Sequence, residues 1–328
     1  MGSRVVAESS KCDRLDRQII HALQLEPRAS FSRIAGAVET SEQTVARRYR
    51  RLRSAGALRV VGLPSPKKGW ASWFLRMRCV PGSGEAIAAA LARRDDTAWV
   101  QLLSGDTEVL CALRGDPREG SDALLARLPR SNRIVAVTAY SRLHIFSGGT
   151  DALGFLDVLP ASRLAPLLRP SSGGHPTELG PLDDALFAAL AVDGRTPYAD
   201  LAIATGWSET TVRRRMDQLR DAGLLYFDLE LDMPAFGFRS TVWMWLSVPP
   251  SQLADVGSAL AKFPEVAYAI ATTGPANLAA CAVCRSQEEL YEFLTDKVGA
   301  LPGVERMETA PVIRTVKQAS PIMVPVRN

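Results

Sequence analysis

The 328-residue chain has no apolar run approaching the ~18 residues of a membrane-spanning helix, and its opening MGSRVVAESSKCDRLD lacks the apolar core of a secretory signal. A soluble, cytoplasmic protein with no membrane partner is expected. Cysteine is scarce: Cys12, Cys79, Cys111, Cys281 and Cys284 are odd in number and scattered, which gives no disulfide framework and suits a reducing compartment. Cys281 and Cys284 stand three apart on an expected strand, where side chains face opposite ways, and only His21, His144 and His175 could join them, so no metal site is expected. GxGxxG, Walker and GxSxG motifs are missing; no catalytic constellation stands out, and no cofactor is called for. There is no excess of one charge either, since 39 Lys and Arg against 35 Asp and Glu leave only +4. Global charge therefore argues weakly for a nucleic-acid partner, and the local distribution has to decide.

What is present is repetition. With Leu15 set against Leu182, an offset of 167, residues 15–58 align without a gap to 182–225, and 18 of the 44 positions are identical. So long a period means duplicated domains, not a solenoid. Each copy opens with a helix of 3.6-residue apolar period (Leu15, Ile19, Ala22, Leu23; Leu182, Leu186, Ala189, Leu190) and continues with a second helix over 30–38 or 197–205. A short break precedes a third helix capped by Ser41 or Ser208 and stopped by Ala55-Gly56 or Ala222-Gly223. The extended segments LRVVGL and LLYFDLEL follow.

Strands and helices then alternate: β 70–79, α 82–94, β 98–103, β 108–113, α 120–128 and β 134–146 in the first copy. The second copy gives β 239–248, α 250–263, β 266–273, β 276–284, α 287–301 and β 304–316. This is the βαββαβ order of a ferredoxin-like domain. Five segments result: a winged helix-turn-helix at 12–64, a ferredoxin-like domain at 68–146, a Gly, Ser and Pro-rich linker at 147–180, a second winged helix-turn-helix at 181–232, and a second ferredoxin-like domain at 236–320. The fold class is α+β.

On these residues, LDRQIIHALQLEPRASFSRIA with SEQTVARRYRRLRSAGAL, LDDALFAALAVDGRTPYADLA with SETTVRRRMDQLRDAGLL, and the LLSGDTEVL turn, the chain resembles the Lrp/AsnC (feast/famine) family of prokaryotic transcriptional regulators. The resemblance covers nearly the whole chain, twice. It implies a DNA-binding domain, a sensing domain that takes small effectors such as amino acids at its interfaces, and assembly into dimers and larger rings. The fused chain would then be a covalent pseudo-dimer, itself forming a dimer or tetramer. The abundance of Ala, Arg and Leu suggests a bacterial source.

On the third helix Val45, Tyr49 and Leu52 form an apolar stripe, leaving Gln43, Arg47 and Arg50, edged by Arg51, for a major groove in double-stranded DNA. Ser41 and Thr44 sit at the start of that face. Arg48, Arg53, Lys67 and Lys68 are expected phosphate contacts. The second copy offers Thr210, Arg213 and Arg214, but an aspartate, Asp217, replaces Arg50. Residues 28–68 hold ten basic and two acidic residues; the equivalent 195–235 hold five and seven. Phosphate neutralisation supplies most non-specific affinity, so the N-terminal copy is the expected main reader.

The resemblance places an effector beside the turn between the second and third strands of each ferredoxin-like domain. In the first copy this is Gly105-Asp106-Thr107-Glu108, which offers backbone N–H groups for a carboxylate and side-chain carboxylates for an ammonium. In the second, Thr273, Gly274 and Asn277 flank a proline and no carboxylate remains. Trp99, Trp243 and Trp245 are either lining for an aromatic effector or core residues. Two alternatives stay open. Proteins of this architecture also resemble sirohaem decarboxylases, for which His144 is a lone candidate, and a nucleoid-architectural protein would cover DNA without sensing metabolites.

Overall fold

The computed structural model describes residues 12–65, 71–115, 132–148, 159–169, 179–180 and 183–320. The first half contains α1 (Arg14–Leu25), α2 (Phe31–Val38), α3 (Glu42–Ser54), β1 (Leu58–Pro64), β2 (Ala71–Cys79), α4 (Gly84–Ala92), β3 (Thr97–Leu103), β4 (Glu108–Gly115) and β5 (Ile134–Ser147). The second contains α5 (Asp183–Val192), α6 (Tyr198–Thr205), α7 (Glu209–Asp221), β6 (Leu225–Leu231), β7 (Ser240–Ser247), α8 (Leu253–Leu260), β8 (Val266–Thr272), β9 (Leu278–Cys284), α9 (Gln287–Glu292, continued by a π-helical stretch Phe293–Val298) and β10 (Arg306–Lys317). The helix expected at 120–128 lies outside the described residues.

Local chemistry sets the helix ends. Asp13 and Asp16 form a reciprocal capping box at the start of α1, each backbone N–H donating to the other's carboxylate at 3.0 Å. Ser41 caps α3 and Ser208 caps α7, each accepting from the backbone N–H three residues on at 3.2 Å. Gly56 and Gly223 stop those helices in left-handed conformations, φ 70° and 65°. Val45, Tyr49 and Leu52 are buried, as are Val212, Met216 and Leu219 on α7.

Both ferredoxin-like sheets have the strand order fourth, first, third, second: β5-β2-β4-β3 and β10-β7-β9-β8. Their edges join. β5 pairs with β8 and β10 with β3, all antiparallel, closing the eight strands into one barrel with no free edge. Three apolar layers follow from the period-2 alternation. Leu75, Met77 and Cys111 pack under α4, and Met244, Leu246 and Phe293 form the corresponding layer of the second domain. Phe74, Tyr140, Trp243, Trp245 and Ile270 meet between the two sheets. Trp243 and Trp245 are therefore core residues, whereas Trp99 is exposed on β3, and the apolar strand β7 finds its partner surface within the chain. Cys281 faces the inter-sheet layer and Cys284 the helix layer, on opposite sides of β9. Among the described residues no group of His, Cys, Asp and Glu could hold a metal, and no helix is long and apolar enough to cross a membrane.

The helical units share one core rather than two. Ile19, Leu23, Ile34 and Leu52 of the first belong to the same cluster as Leu186, Leu190, Leu201 and Leu219 of the second. The extended segment after each helix-turn-helix pairs with its counterpart: β1 and β6 are antiparallel, with Val61 opposite Asp228, positions related by the same offset of 167. Each wing strand is thus completed by the other copy's, around a pseudo-two-fold axis.

Candidate nucleic-acid interface

The pseudo-symmetry is carried through the polar contacts between the two helical units. Arg28 donates to the carbonyls of Gly194 and Thr196 at 2.5 and 2.9 Å, and Arg195 donates to those of Pro27 and Ala29 at 2.6 and 2.8 Å. Each guanidinium lies over a ring of the opposite unit, Arg28 over Tyr198 and Arg195 over Phe31, both 4.8 Å from the centroid. Burial lowers the pKa of both. Arg53 pairs with Asp193 at 2.7 Å and Arg220 with Glu26 at 2.8 Å, again reciprocal. The two units form one packed block. Sequence reading passed over Arg28, Arg195 and Arg220 and took Arg53 for a phosphate contact, although Arg28 and Arg195, like Arg53 and Arg220, are identical pairs at the common offset.

On the outer side of α3, Gln43, Arg47 and Arg50 are exposed; among the described residues the first two make no side-chain hydrogen bond or ion pair, and Arg50 bonds the carbonyl of Ala46 at 3.2 Å. Ser41 and Thr44 are joined through their hydroxyls at 2.9 Å, so both serve the cap. Two expectations are corrected. Arg48, read as a phosphate contact, bonds Asp13 at 2.6 Å and Asp16 at 3.0 Å, and Arg51, read as the edge of the groove-facing stripe, also pairs with Asp16. The reason is that Asp16 is wholly buried, and a buried carboxylate must be paired. Arg215 pairs with Asp183 at 2.6 Å in the same way, which marks this as an internal brace of the fold. Arg53 is engaged with Asp193, and Lys67 and Lys68 lie outside the described residues.

The equivalent face of α7 differs. Thr210 and Arg214 are exposed, and Arg213 lies over the ring of Tyr198 at 4.2 Å. Asp217 is bound by Arg169 at 3.0 Å. A shallow cavity of about 250 Å³ opens here between Gly180, Trp207, Arg214 and Gln218, where the first copy has the bulkier Asp13 and Arg51.

In the first ferredoxin-like domain Gly105, Asp106 and Thr107 form the tight turn between β3 and β4, with Asp106 at φ 72°. One oxygen of Asp106, Oδ1, is buried and has no hydrogen-bond partner. Thr107 bonds the carbonyl of Ser104 at 2.7 Å. Glu108 is not available to an ammonium group: it bonds Arg76 at 2.9 Å, and Arg76 in turn holds Glu308 at 2.5 Å while lying 4.0 Å over the ring of Trp245. Burial lowers the Arg76 pKa, but hydrogen bonds to Glu308 and Glu108 outweigh it and the net direction is upward. In the second domain Asn277 is spent on Val248, accepting from its N–H at 3.0 Å and donating to its carbonyl at 2.7 Å. The Thr273 hydroxyl accepts from the N–H of Ser141, and Gly274 turns at φ 107° against Tyr140. Thr273 and Gly274 thus sit at the seam with β5, while Asn277 ties the ends of β7 and β9 together within the second domain. His144 is exposed on β5, its ring edge-on to Phe146 at 4.7 Å.

Residues 13–53 and 181–220 match the model of the AsnC-type helix-turn-helix domain, and 241–322 that of the Lrp/AsnC ligand binding domain. The HTH-type transcriptional regulator FL11 of Pyrococcus horikoshii is 31% identical over 143 residues, which are 43% of this chain and 94% of that one. The chain belongs to the Lrp/AsnC family. The HTH-type transcriptional regulator LrpA of the same organism is 25% identical over 136 residues, 41% of this chain and 96% of its own. These archaeal relatives leave the expected bacterial source without support. Each relative has the length of one copy, and this member of the family carries two helix-turn-helix domains. The solved structure of the siroheme decarboxylase NirDL has the same fold along 94% of this chain and 93% of its own, with a TM-score of 0.62 and 14% identity, a likeness of fold alone.

Proposed function

We propose that this Lrp/AsnC protein is a sequence-specific DNA-binding regulator that reads double-stranded DNA through α3. The observation that carries the reading is the free cationic face of that helix, Gln43, Arg47 and Arg50, beside an α7 whose equivalent face holds a neutralised aspartate. Arg47 suits bidentate bonding to guanine and Gln43 to adenine. The fused halves act as a pseudo-dimer, and two or more chains associate to present a pair of α3 helices about 34 Å apart or a multiple of it. The exposed Val135, Val137 and Leu143 of β5 and Ile313 of β10 favour such association. Because the two helical units of one chain are locked together, an effector would change the spacing between chains and not within one. A small zwitterion such as an amino acid is the effector we infer, taken beside the exposed first-copy turn at Gly105.

Binding to the DNA upstream of the protein's own gene, measured across a salt series, tests this. Arg47→Ala is expected to cost about 1–3 kcal/mol of specific affinity, and Arg214→Ala little. Greater damage from Arg214→Ala, or no specific binding by the wild type, would reject the reading.

A further inference from the structure

The linker was expected only to connect, yet residues 159–169 pack as a strap. Leu159 and Leu167 are buried in the core shared by the helical units, and the Leu159 N–H donates to Nδ1 of His21 at 3.2 Å. Arg163 pairs with Glu39 at 2.8 Å, and Arg33 donates to the carbonyl of Pro166 at 2.6 Å. Having crossed α1 and α2, the chain delivers Arg169 to the other unit. There its guanidinium lies 3.0 Å from Asp217 and 3.2 Å from Asp221, one turn apart on α7. Little of the Arg169 and Asp221 side chains reaches solvent, 24% and 9%.

The first copy has Arg50 and Ser54 at these two positions. An arginine strap would be repelled there, and among the described residues no hydrogen bond or ion pair joins the linker to α3. The departure from repeat symmetry in sequence, arginine and serine to two aspartates, coincides with the place where the linker's Arg169 meets α7. A guanidinium held between two carboxylates has its charge already answered, and the three groups sum to −1, which disfavours a phosphate. We propose that the C-terminal half of α7 is a docking surface for the chain's own linker, Arg169 between Asp217 and Asp221, and that the second helix-turn-helix is thereby closed to nucleic acid. This rests on the reading of α3 as the DNA-facing helix and gives the reason α7 is not its equal.

Arginine-selective labelling of the full chain with phenylglyoxal, read by mass spectrometry, tests it with and without a duplex from upstream of the gene. In the wild type Arg169 is expected to react slowly, and in Asp217→Asn/Asp221→Asn about five-fold faster, the protection that two partly exposed ion pairs supply. The duplex should protect Arg47 and Arg50 and leave Arg214 as reactive as before. Unchanged Arg169 labelling in the variant, or protection of Arg214 equal to that of Arg47, would overturn the proposal. Absence of protection at Arg47 would instead reject the DNA reading, leaving the Arg169 comparison to decide the docking.

Discussion

Replacing Arg28 with alanine should loosen the block formed by the two helical units more than any single change on the DNA-facing surface. The side chain donates two charge-assisted hydrogen bonds to carbonyls of the opposite unit, at 2.5 and 2.9 Å, and stacks on Tyr198. Hydrogen bonds of this class contribute about 1.5–3 kcal/mol each, and the stacking roughly 0.5–2 kcal/mol. Against these stand the regained side-chain freedom, up to about 2 kcal/mol, and relief of burying a charge whose pKa burial already lowers. The net expectation is a loss of about 3 kcal/mol, over 100-fold in the equilibrium for separating the units. The β1–β6 hydrogen bonds break only when the units separate, so hydrogen exchange of amides in Leu58–Pro64 and Leu225–Leu231 reads that equilibrium directly. Arg28→Lys should fail to restore protection, because an ammonium cannot span two carbonyls or stack as a plane. Arg195→Ala should match Arg28→Ala by pseudo-symmetry. The two cations also repel each other, a term each single variant removes, so the double variant should lose more than the sum. A change in exchange below about five-fold, or a lysine variant equal to wild type, would refute the account.

Three further outcomes are expected. Arg48→Ala should destabilise the fold by about 2–3 kcal/mol, since the buried Asp16 loses one of its two arginine partners; a true phosphate contact would instead lower the salt dependence of DNA binding by about 0.9 in slope with stability unchanged. All five cysteines are buried; burial raises Cys12 to about 11 and Cys111, Cys281 and Cys284 to about 12. The native protein should therefore resist a thiol reagent at neutral pH and take up five equivalents once denatured, and fast native labelling would contradict the packing. The hydrogen bond from Arg76 holds Glu308 below its ordinary 4.5, and Asp183 is held below 3.8 because its bond from Arg215 outweighs burial. Both stabilise the fold above those values and lose that contribution as pH falls through their lower folded values. Unfolding curves of Glu308→Gln and wild type should thus differ at neutral pH and converge as pH falls through the lowered folded value of Glu308; a constant gap would remove Glu308 from the acid response.

How much of this was legible in the chain varies by element. The repeat, the three helices of each copy and the βαββαβ order followed from local rules: apolar spacing, serine caps and glycine stops act within a few residues of one another. The helical wheel of α3 correctly separated Val45, Tyr49 and Leu52 from the polar side. It could not divide the arginines, because Arg48 and Arg51 are claimed by Asp16 on a helix more than thirty residues away in sequence. Glu108 escaped for the same reason, its partner Arg76 standing on the neighbouring strand.

The sequence by itself determined that there are two copies, what each is built from, and that their charge differs. Tertiary structure alone decided how the copies meet: β1 on β6, two sheets closed into one barrel, four arginines exchanged across an axis, and a linker folded onto α7. Periodicity reports which faces must be covered, since burial of apolar area is non-directional. Which surface covers them, and which cation answers which carboxylate, depends on distances that only the folded chain sets.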